Sequence, residues 1–384
     1  MTKQEPVEDY IDGRERRAAQ AHEDREAADR LWRQLQASGA PGEWKERILG
    51  DSAFQGWALC ERICDESLER AEFDPEGAEE LAALAVTIAP KVLGEPAVVS
   101  GAQEYAWAHL ANARRARGDL ASAREAMHRA ESFFTGAMAG IWPTMFRRQR
   151  TTVLTVRLLA EQGQLAEALE KIDFSIRPSP VIGAQADGGE GEALLLLEKG
   201  RLLRRRGQAV VAVKDLSRAS EIAAKLARPH LSLRIGLELG TALCDAGRAA
   251  EVKALPAALR KLAEGLEPAR SRLLCLDGRV AAGLGRLEEA EAVLGLDPSG
   301  LHPKAIPELA LLFLETAVLQ LREGRTEELA RLAESTVRLR ESPGLDRQTA
   351  ASLKLFCRLV AQDKMTPDRA AQFAAEIVRY VPAA

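Results

Sequence analysis

Aromatic side chains are scarce in this sequence, at 4% of 384 residues. Strand-built cores draw on aromatic and β-branched residues, so the shortage favours helices packed with Leu and Ala over a β-sandwich. Cysteine is sparse too. The five, Cys60, Cys64, Cys244, Cys275 and Cys357, are odd in number and scattered. That excludes a disulfide framework and reads as small buried residues in a reducing cytoplasm. A membrane-crossing run is missing. The longest apolar stretch, 310–321, is broken by Glu315 and is too short for a bilayer. The first residues, MTKQEPVEDYIDGRERR, carry charge and no apolar core, unlike a signal peptide. A cytoplasmic protein without a membrane partner is expected. Neither charge dominates: 53 Lys and Arg against 57 Asp and Glu leave a net charge of -4, where a bulk nucleic-acid binder would show a basic excess.

Signatures of chemistry are missing as well. No Walker-type phosphate loop occurs, GLGRLEEA lacks the third glycine of a dinucleotide fingerprint, and HExxH and GxSxG do not occur. Cys60 and Cys64 are spaced to share a helix face, but a structural zinc needs four ligands and no second pair follows. The two read as packed core cysteines. The histidines His22, His109, His128, His230 and His302 are solitary, with His109 one helical turn from Asn112. No cofactor and no metal are expected, and an enzyme is the least favoured function.

What the chain does have is repetition. Gly200-RLLRRR-Gly207, Gly240-TALCDA-Gly247 and Gly278-RVAAGL-Gly285 share one glycine step, followed five residues on by Ala212, Val252 and Ala290. Aligning on the second glycine adds Gly118, Gly163 and Gly324, with Ala123, Ala168 and Leu329 five residues after them. A glycine adopts the left-handed conformation that ends a helix without a Cβ penalty. Each unit therefore reads as a hairpin: helix A, a glycine turn, and an antiparallel helix B. Small residues at the first glycine and at the +5 position would let the two helices approach closely. Pro143, Pro229, Pro268 and Pro307 fall where A helices should begin, in a first turn that tolerates proline. Pro256 falls inside a B helix, where it predicts a kink or a late start.

The pattern resembles the tetratricopeptide repeat, most closely in Trp107-AHLANARRARGDLASAREAMHRA, where Trp107, Leu110, Ala111, Gly118, Ala123 and Ala130 take the expected places. The resemblance covers residues 53–340. The spacing of the turns, 38 to 45 residues, exceeds the minimal repeat of about 34. The terminal proline is mostly absent and the aromatic positions are largely aliphatic. The implied fold is all-α: a right-handed α-solenoid of about seven hairpins with capping helices at both ends. Residues 1–52 would form a charged N-terminal cap, 53–340 the solenoid and 341–384 a closing hairpin. All five tryptophans lie in the first 142 residues and read as rings that seal the N-terminal cap, although a ligand platform is the other possibility. The segment 177–191, RPSPVIGAQADGGEG, interrupts the rhythm as an irregular loop.

Charge is organised. Residues 61–80 hold nine acids and two arginines, whereas 132–160 and 199–206 hold basic residues and no acid. In tetratricopeptide-like solenoids helix A lines the concave groove, and that resemblance places Asn112, Arg115, Arg157, Arg201, Arg204, Arg205 and Arg279 on the groove wall. Guanidinium binds carboxylate bidentately, so such a wall would suit an acidic peptide or protein segment, in loose similarity to the carboxylate-clamp members of the family. Two states of these arginines stay open: partner anchors, or side chains that are solvated or paired with acids of neighbouring helices. The function expected is a non-enzymatic protein-interaction scaffold or adaptor. The alternative is a peptide- or ligand-responsive sensor that regulates a transcription factor, protease or defence effector.

Overall fold

The computed structural model describes residues 5–39, 41–71, 74–133, 148–176, 189–226, 228–252 and 255–380. Trp142, Pro143, Arg147 and most of the segment 177–191 lie outside the described residues. Every element longer than a single 3-10 turn is an α-helix, and among the described residues there is no strand. None of the described helices is long and apolar enough to cross a membrane. The chain divides into two units, Met1–Leu195 and Leu196–Ala384.

In the first unit α1 (Glu5–Ala37) and α2 (Pro41–Gly50) precede three hairpins: α3 (Trp57–Arg70) with α4 (Pro75–Ile88), α5 (Pro96–Ala116) with α6 (Leu120–Ser132), and α7 (Arg148–Glu161) with α8 (Leu165–Ile176). Trp32 of α1 meets Trp44 of α2 edge to face at 5.2 Å. Both rings share a buried cluster with Leu35, Ile48, Trp57, Cys60, Ile63 and Cys64, as expected for a cap sealed by aromatic rings. Asp74 caps α4, its carboxylate accepting from the Gly77 N–H at 3.0 Å, with Pro75 next to it in the first turn.

The second unit takes up the chain within α9 (Glu190–Arg205), which pairs with α10 (Ala209–Leu226). There follow α11 (Pro229–Asp245) with α12 (Ala249–Val252) and α13 (Leu255–Leu262), α14 (Glu267–Gly283) with α15 (Leu287–Leu294), α16 (Ile306–Arg322) with α17 (Thr326–Arg340), and α18 (Arg347–Ala361) with α19 (Pro367–Tyr380). Pro229, Pro268 and Pro307 each occupy a first turn of an A helix. Pro256 lies in α13, and residues 253–254, on which the expected kink or late start falls, lie outside the described residues. The last pair is the expected closing hairpin, packed through Phe356 against Phe313 and Phe373.

All six turn glycines have φ between +69° and +82°. At each, the glycine N–H bonds the carbonyl three residues back, and the next N–H bonds the carbonyl five residues back. That is the double bond of a left-handed helix stop. A seventh turn of the same bonding occurs at Asp363, with φ +53°. It lacks glycine and so escapes a search for glycines.

The six residues five positions after the turns are all buried: Ala123, Ala168, Ala212, Val252, Ala290 and Leu329. The first glycine of the step does more than bring helix B close. A Cβ on Gly200 would lie 2.5 Å from Leu216 of its own B helix. On Gly240 it would first meet Leu276 of the next A helix, at 2.6 Å, and on Gly278 Leu312 of the next A helix, at 2.5 Å. The step therefore also sets the approach of successive A helices in the second unit.

Candidate functional site: the charged face of the A helices

Position along helix A, measured from the turn glycine, decides which side chains meet. Six residues before the turn stand Asn112, Arg157, Arg201 and Arg279; three before it stand Arg115 and Arg204. These are the residues placed on the groove wall from sequence, together with Arg205.

In the first unit Asn112 is buried, and its Oδ1 accepts from Arg115 Nε at 3.2 Å. Arg115 forms an ion pair with Glu161 of α7. Arg157 is half-buried on the same helix. Further along this face Arg150 joins Asp65 of α3 to Glu190, the latter at 3.0 Å, and Tyr105 Oη donates to the same Asp65 at 3.2 Å. His109 lies fully buried against the Tyr105 ring, and its Nδ1 donates to the Tyr105 carbonyl at 2.8 Å. Burial pushes its pKa down to about 4, outweighing that hydrogen bond, so the ring is neutral at pH 7.

In the second unit Arg201, Arg204 and Arg279 are placed inside the fold, and each meets two carboxylates. Arg201 Nη1 donates to Glu198 at 3.2 Å and its Nε lies 3.2 Å from Glu238. Arg204 reaches Glu238 at 2.8 Å and Asp245 at 2.7 Å. Arg279 donates to both oxygens of Glu315, at 3.1 and 3.0 Å, and to Asp245 at 2.7 Å. Arg205 is half-buried. Of the two states left open by the sequence, these three arginines take the paired one, because the next A helix carries acids at matching heights.

Sequence reasoning passed over those acids and the fourth arginine, Arg272, which bridges Glu238 at 3.0 Å and Glu308 at 2.7 Å. The signal was present as a repeated offset. Arg201 and Arg279 stand six residues before their turns, and their acids, Glu238 and Glu315, stand nine before the next turn. Arg115 and Arg204 stand three before, and Glu161 and Asp245 stand two before the next.

The chemistry of this face is that of closed charge pairs. Burial works against the charged form of Glu238, but Arg201, Arg272 and Arg204 overcome it and hold the carboxyl well below its usual range. Asp245 is held low in the same way by Arg204 and Arg279. Glu315 is the exception: burial raises it despite Arg279 beside it. Burial also pushes the Cys244 thiol up to about 12, leaving a thiol rather than a thiolate at pH 7. Among the described residues no group of three or more His, Cys, Asp and Glu could hold a metal ion. Cys60 and Cys64 lie fully buried in the first unit's core.

No protein-family model matches the chain, and no curated protein matches it. Among solved structures, the chain is similar to a Rap protein crystallised in complex with competence and sporulation factor. The TM-score is 0.56 at 11% sequence identity, over 84% of this chain and 88% of that one. At that identity the likeness is one of fold. It agrees with the all-helical hairpins described above, and it makes the chain an all-α helical-repeat protein of solenoid type.

Proposed function

We propose that this chain is a non-enzymatic helical-repeat scaffold that holds a segment of another protein against the face of its A helices. The observation that carries the proposal is the likeness to a Rap protein complexed with competence and sporulation factor, which runs over most of both chains. The seven wall residues divide by burial. In each unit the half-buried arginines, Arg115 and Arg157 in the first and Arg205 in the second, meet the partner, and a carboxylate-bearing segment suits them because guanidinium recognises carboxylate bidentately. Buried Asn112, Arg201, Arg204 and Arg279 shape the wall behind them. The five cysteines are all free, which suits work in the cytoplasm.

A second function is favoured by the same neighbour, which was crystallised with competence and sporulation factor. The chain would then be a sensor that changes shape on binding a peptide or small ligand and so regulates a partner such as a transcription factor, protease or defence effector.

The test is affinity capture from the native host with the full chain as bait, alongside a variant carrying Arg115→Glu, Arg157→Glu and Arg205→Glu. A scaffold retains a protein partner that the triple variant loses while keeping its helical content. A partner held equally by both baits would remove the wall from the site, and capture of no protein would sink the scaffold. Small-angle scattering that shifts when the captured segment is added, as a synthetic peptide, would favour the sensor.

A further inference from the structure

The charges that join the A helices of the second unit alternate in sign from one helix to the next, with buried Glu198 of α9, paired with Arg201 on its own helix, outside the alternation. Helix α9 brings Arg201 and Arg204, α11 Glu238 and Asp245, α14 Arg272 and Arg279, and α16 Glu308 and Glu315. They form two rails. One runs Arg201 and Arg204, Glu238, Arg272, Glu308. The other runs Arg204, Asp245, Arg279, Glu315. On α11, α14 and α16 the two rails are seven residues apart, two helical turns, and Arg204 belongs to both.

The A helices of these repeats are closely alike. The four A helices span 16 or 17 residues, their turns are 38 to 40 residues apart, and each turn is closed by the same two hydrogen bonds. Repeat proteins are prone to pairing an element with the wrong neighbour during folding. Buried ion pairs are a poor means of adding stability, since apolar residues of similar volume often serve as well or better. Buried charges do separate right from wrong partners, because an unpaired or like-charged contact in the interior is severely unfavourable. Skipping one repeat would set α9 against α14, arginine on arginine, or α11 against α16, acid on acid.

We propose that the alternating rails are an ordering code: they direct each A helix of the second unit to its proper neighbour during folding. The code lies in the alternation of sign, independent of which helix carries which sign. It is separate from any partner the protein binds.

Refolding of the full chain from urea tests this, with native order read by hydrogen exchange across α11, α14 and α16. The first variant breaks alternation and keeps net charge: Arg272→Glu, Arg279→Glu, Glu308→Arg and Glu315→Arg, which makes both α11 and α14 acidic. The second adds Glu198→Arg, Arg201→Glu, Arg204→Glu, Glu238→Arg and Asp245→Arg, restoring alternation with every sign inverted. The third makes one rail apolar beyond Arg204, which the other rail shares: Asp245→Leu, Arg279→Met and Glu315→Leu. The ordering code expects the first to lose most of its native yield and the second to recover it. It expects the third to melt no lower than the parent yet refold to mixed protection patterns. If the inverted chain refolds no better than the broken one, sign alternation is not the code. If the apolar chain refolds with parental yield and order, the rails do not direct assembly. Either result overturns the proposal.

Discussion

Arg204 divides one guanidinium between two carboxylates of the next A helix, its Nε 2.7 Å from Asp245 and its Nη1 2.8 Å from Glu238. Removing it takes a charged hydrogen bond from each acid while Arg201 and Arg272 still hold Glu238 and Arg279 still holds Asp245, a loss of about 1.5–3 kcal/mol. Arg204→Ala is therefore expected to lower the stability of the second unit by that amount in urea titration. Arg248→Ala, which removes an exposed pair with Glu251, should leave the titration unchanged.

His109 makes the first unit sensitive to acid. In the unfolded chain an imidazole takes up a proton near 6.5, whereas the folded site resists until about 4. Its contribution is therefore fully present above 6.5 and is lost as pH falls through that window. The loss amounts to about 2 kcal/mol by pH 5. Every tryptophan lies within the first 142 residues, so indole fluorescence reports on the first unit. Denaturation followed by that signal at pH 7 and pH 5 should show the drop, and His109→Leu should abolish most of the difference.

Gly278 opens one copy of the glycine step and Gly247 closes another, and they are held for different reasons. At Gly278 a methyl would meet Leu312 at 2.5 Å and Val293 at 3.3 Å, an overpacking that costs about 1–3 kcal/mol. At Gly247 there is open space, but φ is +69°, and an L side chain there costs about 1–2 kcal/mol. Trimming the neighbour distinguishes them. Leu312→Ala should shrink the penalty of Gly278→Ala and leave that of Gly247→Ala untouched, as read from a double-mutant cycle.

Asp363 bears the left-handed strain that glycine relieves at the other six turns. Asp363→Gly is expected to raise the melting temperature, by up to about 1 kcal/mol of added stability. A fall would mean that the aspartate side chain stabilises the turn through a contact of its own.

Much of the fold was legible because it rests on local rules. The glycine turns and the proline starts at Pro229, Pro268 and Pro307 follow from backbone sterics, which act within a few residues. The closing hairpin was legible from its amphipathic pattern, while its turn at Asp363 was not, since the geometry there overrides the residue's preference. The candidate site was legible in half. The register placed Arg201, Arg204 and Arg279 on A helices, where they are found. It did not disclose that Glu238, Asp245 and Glu315, some 34 to 41 residues further on, would meet them there.

By itself the sequence determined which segments turn, which coil and how often, because those outcomes depend on each residue's own stereochemistry. Only the tertiary structure decided whether an arginine faces a partner or a neighbour. That choice depends on which charges the next helix brings to the same height and on how much water remains between them, since Coulomb attraction strengthens as solvent is excluded.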